Sequence, residues 1–331
     1  MLAAFITHAD CARHEMGPQH PECPERLGAI HDLLLVKGLL DYMSPYDAPL
    51  ATPQQLARAH SAMYVQELLA SAPTQGHRQV DPDTAMCPHT VQAALRAAGA
   101  AVQATDLVLG GEAPAAFCCV RPPGHHAERA AAMGFCFFNN VAVGIRHALD
   151  VHGLQRVALI DFDVHHGNGS EDIFRGDERV LMCSIFERGL YPFNGDQATG
   201  PNMVNVGLPS RSGSEAFRAA VSDQWLPALE ALRAGQRKGV AAHRGRNVLA
   251  QPLTLRTHQQ IGVGDQRGNG HQLPTATILH KGQRQMGSRL GQFGSHHRNQ
   301  VQTCGIKIVA RVLPVFARKC FGGDGFECLH E

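Results

Sequence analysis

Carboxylates, tyrosine and tryptophan all but disappear from the last third of this 331-residue chain. Past Leu232 there are 4 acidic residues against 15 basic ones, no Tyr beyond Tyr191 and no Trp beyond Trp225. Through Leu232 the balance is reversed, 25 acidic against 15 basic, so a whole-chain charge of +1 joins a part at −10 to a part at +11. Other absences narrow the class. No apolar run approaches the roughly 18 residues of a helical membrane span. The N-terminus has no basic leader segment, and its apolar stretch stops at Thr7, which argues against a secretory signal. Ten cysteines without regular spacing are not a disulfide framework and are expected as reduced thiols in a cytoplasmic protein. With 44% hydrophobic residues, 34 Gly and 19 Pro, the chain is neither wholly disordered nor collagen-like nor a coiled coil. Its length fits one large α/β domain or two small ones.

Over residues 1–232, helical patterns alternate with short apolar runs. Residues 24–40, 90–109, 138–151 and 214–232 carry apolar positions at helical spacing, and the Ala-rich 90–109 pattern stops at Gly110-Gly111. Residues 115–120, 157–160, 180–185 and 204–208 are compact apolar runs bounded by charge or turn residues, as in strands covered on both faces. This alternation predicts crossover units and a mostly parallel sheet. After Leu232 the pattern ends. The remainder is rich in Gln, Arg, Gly and His, and only residues 306–316 suggest a strand or helix. A basic tail is one route to nucleic acid. No recognition motif stands in this one, however, and its composition predicts a stretch without a stable fold.

Two clusters carry chemistry. Arg121-Pro122-Pro123-Gly124-His125-His126-Ala127 leaves one predicted strand, and Asp161-Phe162-Asp163-Val164-His165-His166-Gly167-Asn168-Gly169 leaves another. Sites in open α/β sheets lie beyond the carboxyl ends of strands, so both loops can share one crevice. Side chains two apart on extended backbone face one way, which groups Asp161, Asp163 and His165 as mixed N/O ligands suited to Zn²⁺. The neighbouring His pair can then supply a base that activates metal-bound water. Each cluster alone has a plainer explanation, since His pairs pack in cores and an Asp after a strand often caps the next helix. Their joint placement at strand ends is what predicts a metal-dependent hydrolase.

These words, together with His20-Pro21-Glu22-Cys23-Pro24-Glu25-Arg26-Leu27, Asp81-Pro82-Asp83-Thr84 and Gly134-Phe135-Cys136-Phe137-Phe138-Asn139-Asn140, resemble the arginase–deacetylase superfamily. The similarity covers about residues 8–232 and lies with the histone deacetylase and acetylpolyamine amidohydrolase branch. Asn168 makes the chain similar to class II and bacterial members. The resemblance implies a three-layer α/β sandwich and a zinc amidohydrolase acting on acetylated lysine peptides or acetylated polyamines. It casts Asp163 and His165 as zinc ligands, His126 as the general base and His125 as its electrostatic partner. Asp161 and Asn168 would orient the two imidazoles. Gly134, Phe135 and Tyr191 would line the acyl-chain tunnel, Arg26 would meet released acetate, and Asp81 or Asp83 would hold the substrate backbone at the rim. Main-chain oxygens of Asp161, Asp163, His165 and Ile185, with Ser184, would hold K⁺; Phe174, Asp177 and Val180 would form a weaker second potassium site.

The pattern breaks in the tail. The family's third zinc ligand is an Asp expected near residue 250, where this chain reads Asn247-Val248-Leu249-Ala250-Gln251-Pro252; Asp265 and Asp324 lack its context. The family's oxyanion-stabilising Tyr is absent too, since Gly322-Gly323-Asp324-Gly325-Phe326 ends in a ring without a hydroxyl. A reading frame that shifts after Leu232 would account for the change of charge, composition and motif together. The expectation is therefore a deacetylase-like domain over 1–232, truncated or scrambled beyond it, with little or no turnover. Two alternatives follow: a non-catalytic remnant, and an arginase-like ureohydrolase. The latter would need a further Asp where His166-Gly167 stands, and it lacks the His125-His126 loop.

Overall fold

The computed structural model describes residues 1–235, 248–252 and 306–310. The described residues all fall in the first of two units along the chain. The first unit is built on an eight-stranded sheet. In chain order its strands are β1 (Ala3–Thr7), β2 (Met43–Asp47), β5 (Ala115–Cys118), β6 (Val157–Asp161), β7 (Val180–Glu187), β8 (Met203–Leu208), β9 (Val248–Pro252) and β10 (Ile306–Ala310). Their spatial order is β2-β1-β5-β10-β9-β6-β7-β8. Every neighbouring pair is parallel except the two made by β10. A separate antiparallel hairpin pairs β3 (Arg78–Asp81) with β4 (Thr84–Met86).

The period of two along each strand divides the core into layers. In β6, Val157 and Leu159 join the apolar cluster that includes α4 (Thr90–Gly110) and α5 (Asn140–Asp150), whereas Ala158 and Ile160 join the other cluster. That second cluster includes α7 (Ser214–Ala220), Trp225 and α8 (Leu226–Gly235). In β7, Val180 and Met182 face the first cluster, and Leu181, Cys183 and Ile185 the second. Helices on both faces of a mostly parallel sheet are the three-layer sandwich that the family resemblance implies. Near the sheet's other end, Phe5 stacks on Phe117 at 5.9 Å and meets His31 of α1 (Glu25–Val36) at 6.4 Å.

Element ends follow local chemistry. The Asn139 side chain accepts from the Ala142 N–H and caps α5. Gly111, at φ 82°, ends α4 in the left-handed region that Gly occupies without strain. The helices and strands expected over residues 24–232 are present with small shifts at their ends, and the 306–316 segment contains β10. Short elements escaped the sequence patterns: β1, β2 with Pro45 in its middle, α2 (Pro53–Leu56), α3 (Ala62–Leu69) and the hairpin. Each is too brief for a period to register, and Pro45 sits on a sheet edge, where a missing N–H costs little. Among the described residues no helix is long and apolar enough to cross a membrane.

A buried ion cluster ties the N-terminal segment to the loop after β5. The Glu22 carboxylate is 1% exposed and takes both Nε and Nη2 of Arg121. Arg26 Nη1 adds a third contact at 3.1 Å. Arg121 Nη1 also donates to the Cys11 and His14 carbonyls, each at 2.9 Å. Breaking such a pair from one side strands a charge without water. Arg121→Ala is therefore expected to lower unfolding free energy by about 3–5 kcal/mol, read as a fall in the urea midpoint.

Candidate active site

The two histidine-bearing loops meet although β5 and β6 are separated by β10 and β9. His125 Nδ1 lies 3.0 Å from Asp161 Oδ2, with both groups buried. The other Asp161 oxygen accepts the Asp163 N–H at 3.1 Å. Burial alone would lower the His125 pKa, but the Asp161 charge and hydrogen bond outweigh it and push the group up to about 9. His125 is thus an imidazolium at neutral pH.

His126 is held in the opposite state. Asn168 Nδ2 donates to Glu128 Oε1 at 2.9 Å, which leaves Asn168 Oδ1 to accept from His126 Nδ1 at 2.8 Å. The proton is therefore on Nδ1, and Nε2 carries the lone pair. Burial, then the adjacent His125 charge, lower the His126 pKa well below its ordinary value, against the Asn168 hydrogen bond. The two rings lie 4.0 Å apart between centroids, one charged and one neutral.

β6 ends at Asp161, so Asp163 and His165 are not placed by the strand's pleat. A local turn does it: the His165 N–H donates to Asp163 Oδ1 at 2.9 Å, and His165 Nδ1 comes to 3.2 Å from the same oxygen. Burial would raise the Asp163 pKa, but His165 and His125 hold it below the usual carboxylate range. His165 stands 6.0 Å from His126, ring to ring. Tyr191 covers both rings, at 5.0 Å from His126 and 6.4 Å from His165, and its hydroxyl is buried without a hydrogen-bond partner.

Two glycines make these approaches possible. Gly134 sits at φ +55°, and a Cβ there would come 2.5 Å from the His126 ring. A Cβ on Gly167 would come 2.3 Å from Asp161 Oδ2. Beside Gly134, Phe135 packs edge-on against His20 at 4.7 Å, and its N–H donates to Thr84 Oγ1. Thr84 in turn donates to Asp83 Oδ1. Asp81 takes a backbone hydrogen bond from Gly134, and burial and Asp83 raise its pKa. Asp81 and Asp83 both reach the 134–135 wall, and neither is singled out. Arg26 is buried, with its Nε unpartnered.

Three participants escaped the sequence patterns. Glu128 fixes Asn168 from the same loop that carries His126. His166 and Glu171 form a buried pair at 2.6 Å under the site; His166 Nδ1 contacts Ser184 Oγ at 3.0 Å, and Glu171 Oε1 accepts from Thr199 N and Oγ1. Only the His-x4-Glu spacing, from the loop before the short helix α6 (Asn168–Phe174) into it, could have signalled the latter pair. Among the described residues, the group of three ligand atoms gathered within 4.8 Å is Asp106, His147 and His152. It lies at the C-terminal end of α5, away from Asn139 and the loops above. Arg58 Nη1 donates to His147 Nδ1 at 3.1 Å, so His147 presents Nε2–H to Asp106 at 2.7 Å as a hydrogen-bonded clasp.

The sequence matches the histone deacetylase domain over residues 20–236. The chain belongs to the histone deacetylase family. It is 34% identical over 299 residues to a histone deacetylase-like amidohydrolase of Pseudomonas aeruginosa, covering 88% of this chain and 76% of that protein. A probable deacetylase of Archaeoglobus fulgidus is 33% identical over 254 residues, 71% of this chain and 69% of its own. The polyamine deacetylase HDAC10 of Mus musculus is 39% identical over 211 residues, which cover 58% of this chain and 31% of HDAC10. Among solved structures, the HDA15 HD domain superposes with a TM-score of 0.63 at 29% identity, covering 70% of this chain and 69% of that one. Family membership makes the chain a deacetylase-type hydrolase by descent, in a family that generally uses zinc.

Two outcomes are expected. First, the tautomer assignment predicts that ¹⁵N NMR shows a protonated His126 Nδ1, which Asn168→Ala releases to tautomeric exchange; an unchanged spectrum would refute the relay. Second, His60 bridges the same loops, accepting the Asn139 N–H at Nε2 and contacting the Glu128 carbonyl through Nδ1, each at 2.9 Å. Burial pushes His60 down to about 4. Unfolding between pH 4 and the ordinary value near 6.5 therefore takes up a proton. The stability from the neutral ring is complete above about pH 6.5 and is lost towards pH 4, up to about 3 kcal/mol. Buried His14, pushed down to about 3, acts in the same direction. Urea midpoints should fall over this window, and His60→Gln should flatten the fall.

Proposed function

We propose that this chain holds the proton-transfer half of a zinc-dependent deacetylase for acetylated lysine or acetylated polyamines. It lacks the residues that would complete the metal shell and the oxyanion site. The observation that carries the proposal is the juxtaposition of a neutral, oriented His126 with the Asp163–His165 pair. Their 3.2 Å ligand separation fits two corners of a tetrahedral zinc shell with bonds of about 2.0–2.1 Å. Zinc bound there supplies Lewis acidity, polarising the acetyl carbonyl and lowering the pKa of water. The lone pair on His126 Nε2 takes the water's proton and returns it to the leaving amine. His125, charged and pinned by Asp161, adds positive potential beside the developing negative charge. Phe135 and Tyr191 wall the aliphatic chain of the substrate, Asp81 and Asp83 face its polar end, and the unspent Arg26 Nε offers a donor to acetate.

A potassium ion at the main-chain oxygens of Asp161, Asp163, His165 and Ile185 belongs to the same proposal. With Nε2–H given to Glu171, His166 Nδ1 accepts the Ser184 hydroxyl hydrogen. That leaves the serine oxygen's lone pairs for a hard cation. The net charge of −10 through Leu232 favours cationic substrates, polyamines among them.

A specific observation favours a second reading, that of a remnant without turnover. β9, which register sets beside β6, has the sequence Val-Leu-Ala-Gln-Pro and brings no carboxylate. We ascribe the change after Leu232 to a shifted reading frame; a family-like C-terminus in an alternative frame of the gene supports this, and its absence there overturns it. Purified protein is expected to hold markedly sub-stoichiometric zinc by elemental analysis. Turnover of acetyl-lysine peptide and N-acetylpolyamine should be at least about 10²–10³ below a complete site. Full zinc occupancy with turnover that His126→Ala abolishes would sink the claim that half the site is lost.

A further inference from the structure

The turn between α6 and β7 contains a cation-like cradle that the chain fills by itself. The carbonyl oxygens of Phe174, Asp177 and Val180 point to one place, and the Asn202 side-chain amide stands there. Its Nδ2 lies 2.8 Å from the Phe174 oxygen, 3.2 Å from that of Asp177 and 2.9 Å from that of Val180. The amide cannot rotate away without loss, because its Oδ1 accepts the Gly176 N–H at 3.2 Å. Its backbone is held as well, the Asn202 carbonyl accepting the Met182 N–H at 2.9 Å.

Three converging main-chain carbonyls are the donor set that replaces water around a weakly hydrated monovalent cation. An amide NH₂ offers the same oxygens two partly positive hydrogens, with Asp177 the most distant of the three acceptors. These are the three residues that family resemblance assigns to a second potassium site, and here they do not fit one. A nitrogen already lies within 3.2 Å of all three oxygens, at the place an ion would take. The carboxylate of Asp177 is not part of the cradle; it is spent on Arg146 and Arg179 and held at about 2 by them.

We propose that Asn202 is an internal replacement for a monovalent cation. It closes the α6–β7 turn without an ion, and removing its amide converts the same three carbonyls into a potassium-selective site. The turn matters to the active site because α6 begins at Asn168, which orients His126, and β7 carries Ser184. Any potassium dependence of the native chain then arises at the Ser184 and Ile185 position alone.

The test is thermal unfolding of the full chain, Asn202→Ala and Asn202→Asp, with potassium, lithium or choline chloride at fixed ionic strength. Effects at the Ser184 position are common to all three proteins and cancel in the difference from wild type. In choline both variants are expected to melt below wild type. Potassium, saturably and unlike lithium, should recover more than half of that loss, most fully in Asn202→Asp, whose carboxylate adds an oxygen ligand. Variants as stable as wild type in choline would overturn the proposal, as would a loss that potassium and lithium leave alike. For a variant unfolded in choline, refolding on transfer to potassium supports it, and failure in both salts counts against it.

Discussion

Asp161 is the hub on which the site's geometry turns. A carboxylate buried at the end of a strand is costly unless every oxygen is used. Here one oxygen takes His125 and the other takes the Asp163 backbone. The first contact bridges loops leaving strands three places apart in the sheet, and it keeps His125 charged. That charge, added to burial, holds His126 neutral. The second contact starts the turn that brings His165 to Asp163. Even Gly167 follows, since any side chain there would collide with the same carboxylate. One desolvated charge thus sets two protonation states and one carboxylate–imidazole pair.

The rest of the polar interior works by the same economy. Glu22 is satisfied by two arginines, Glu171 by His166, Thr199 and Asn205, and Asn168 by Glu128 and His126. Asn202 carries the principle furthest, with a neutral amide meeting three carbonyls that would otherwise call for an ion. Most of the buried carboxylates and amides described above are matched by donors from the same chain. Among the described residues seven buried side-chain N or O atoms have no hydrogen-bond partner; two of them, Tyr191 Oη and Arg26 Nε, belong to residues expected to meet substrate or product.

Much of this was legible in residue order. The long helices and apolar strands announce themselves by period, and the two His-bearing loops stand out because polar clusters follow apolar runs. The break after Leu232 shows in charge alone. Short elements such as β2 and α3 did not show, for want of enough residues to establish a period. Glu128, His166 and Glu171 did not show either, because a single acidic or imidazole side chain in a loop carries no signature of what it will touch. The pleat argument grouped Asp161, Asp163 and His165 on one strand face, whereas β6 ends at Asp161 and a turn beyond it sets His165 beside Asp163.

The sequence by itself determined the class of chemistry: which side chains can donate, accept, ligate or carry charge. Tertiary structure decided the states of those groups. Whether an imidazole is charged or neutral, and which of its nitrogens holds the proton, depends on burial and on partners tens of residues away. Whether three carbonyls hold an ion or an amide depends on where a distant Asn is delivered. Such properties belong to the space between elements, and no local pattern along the chain contains them.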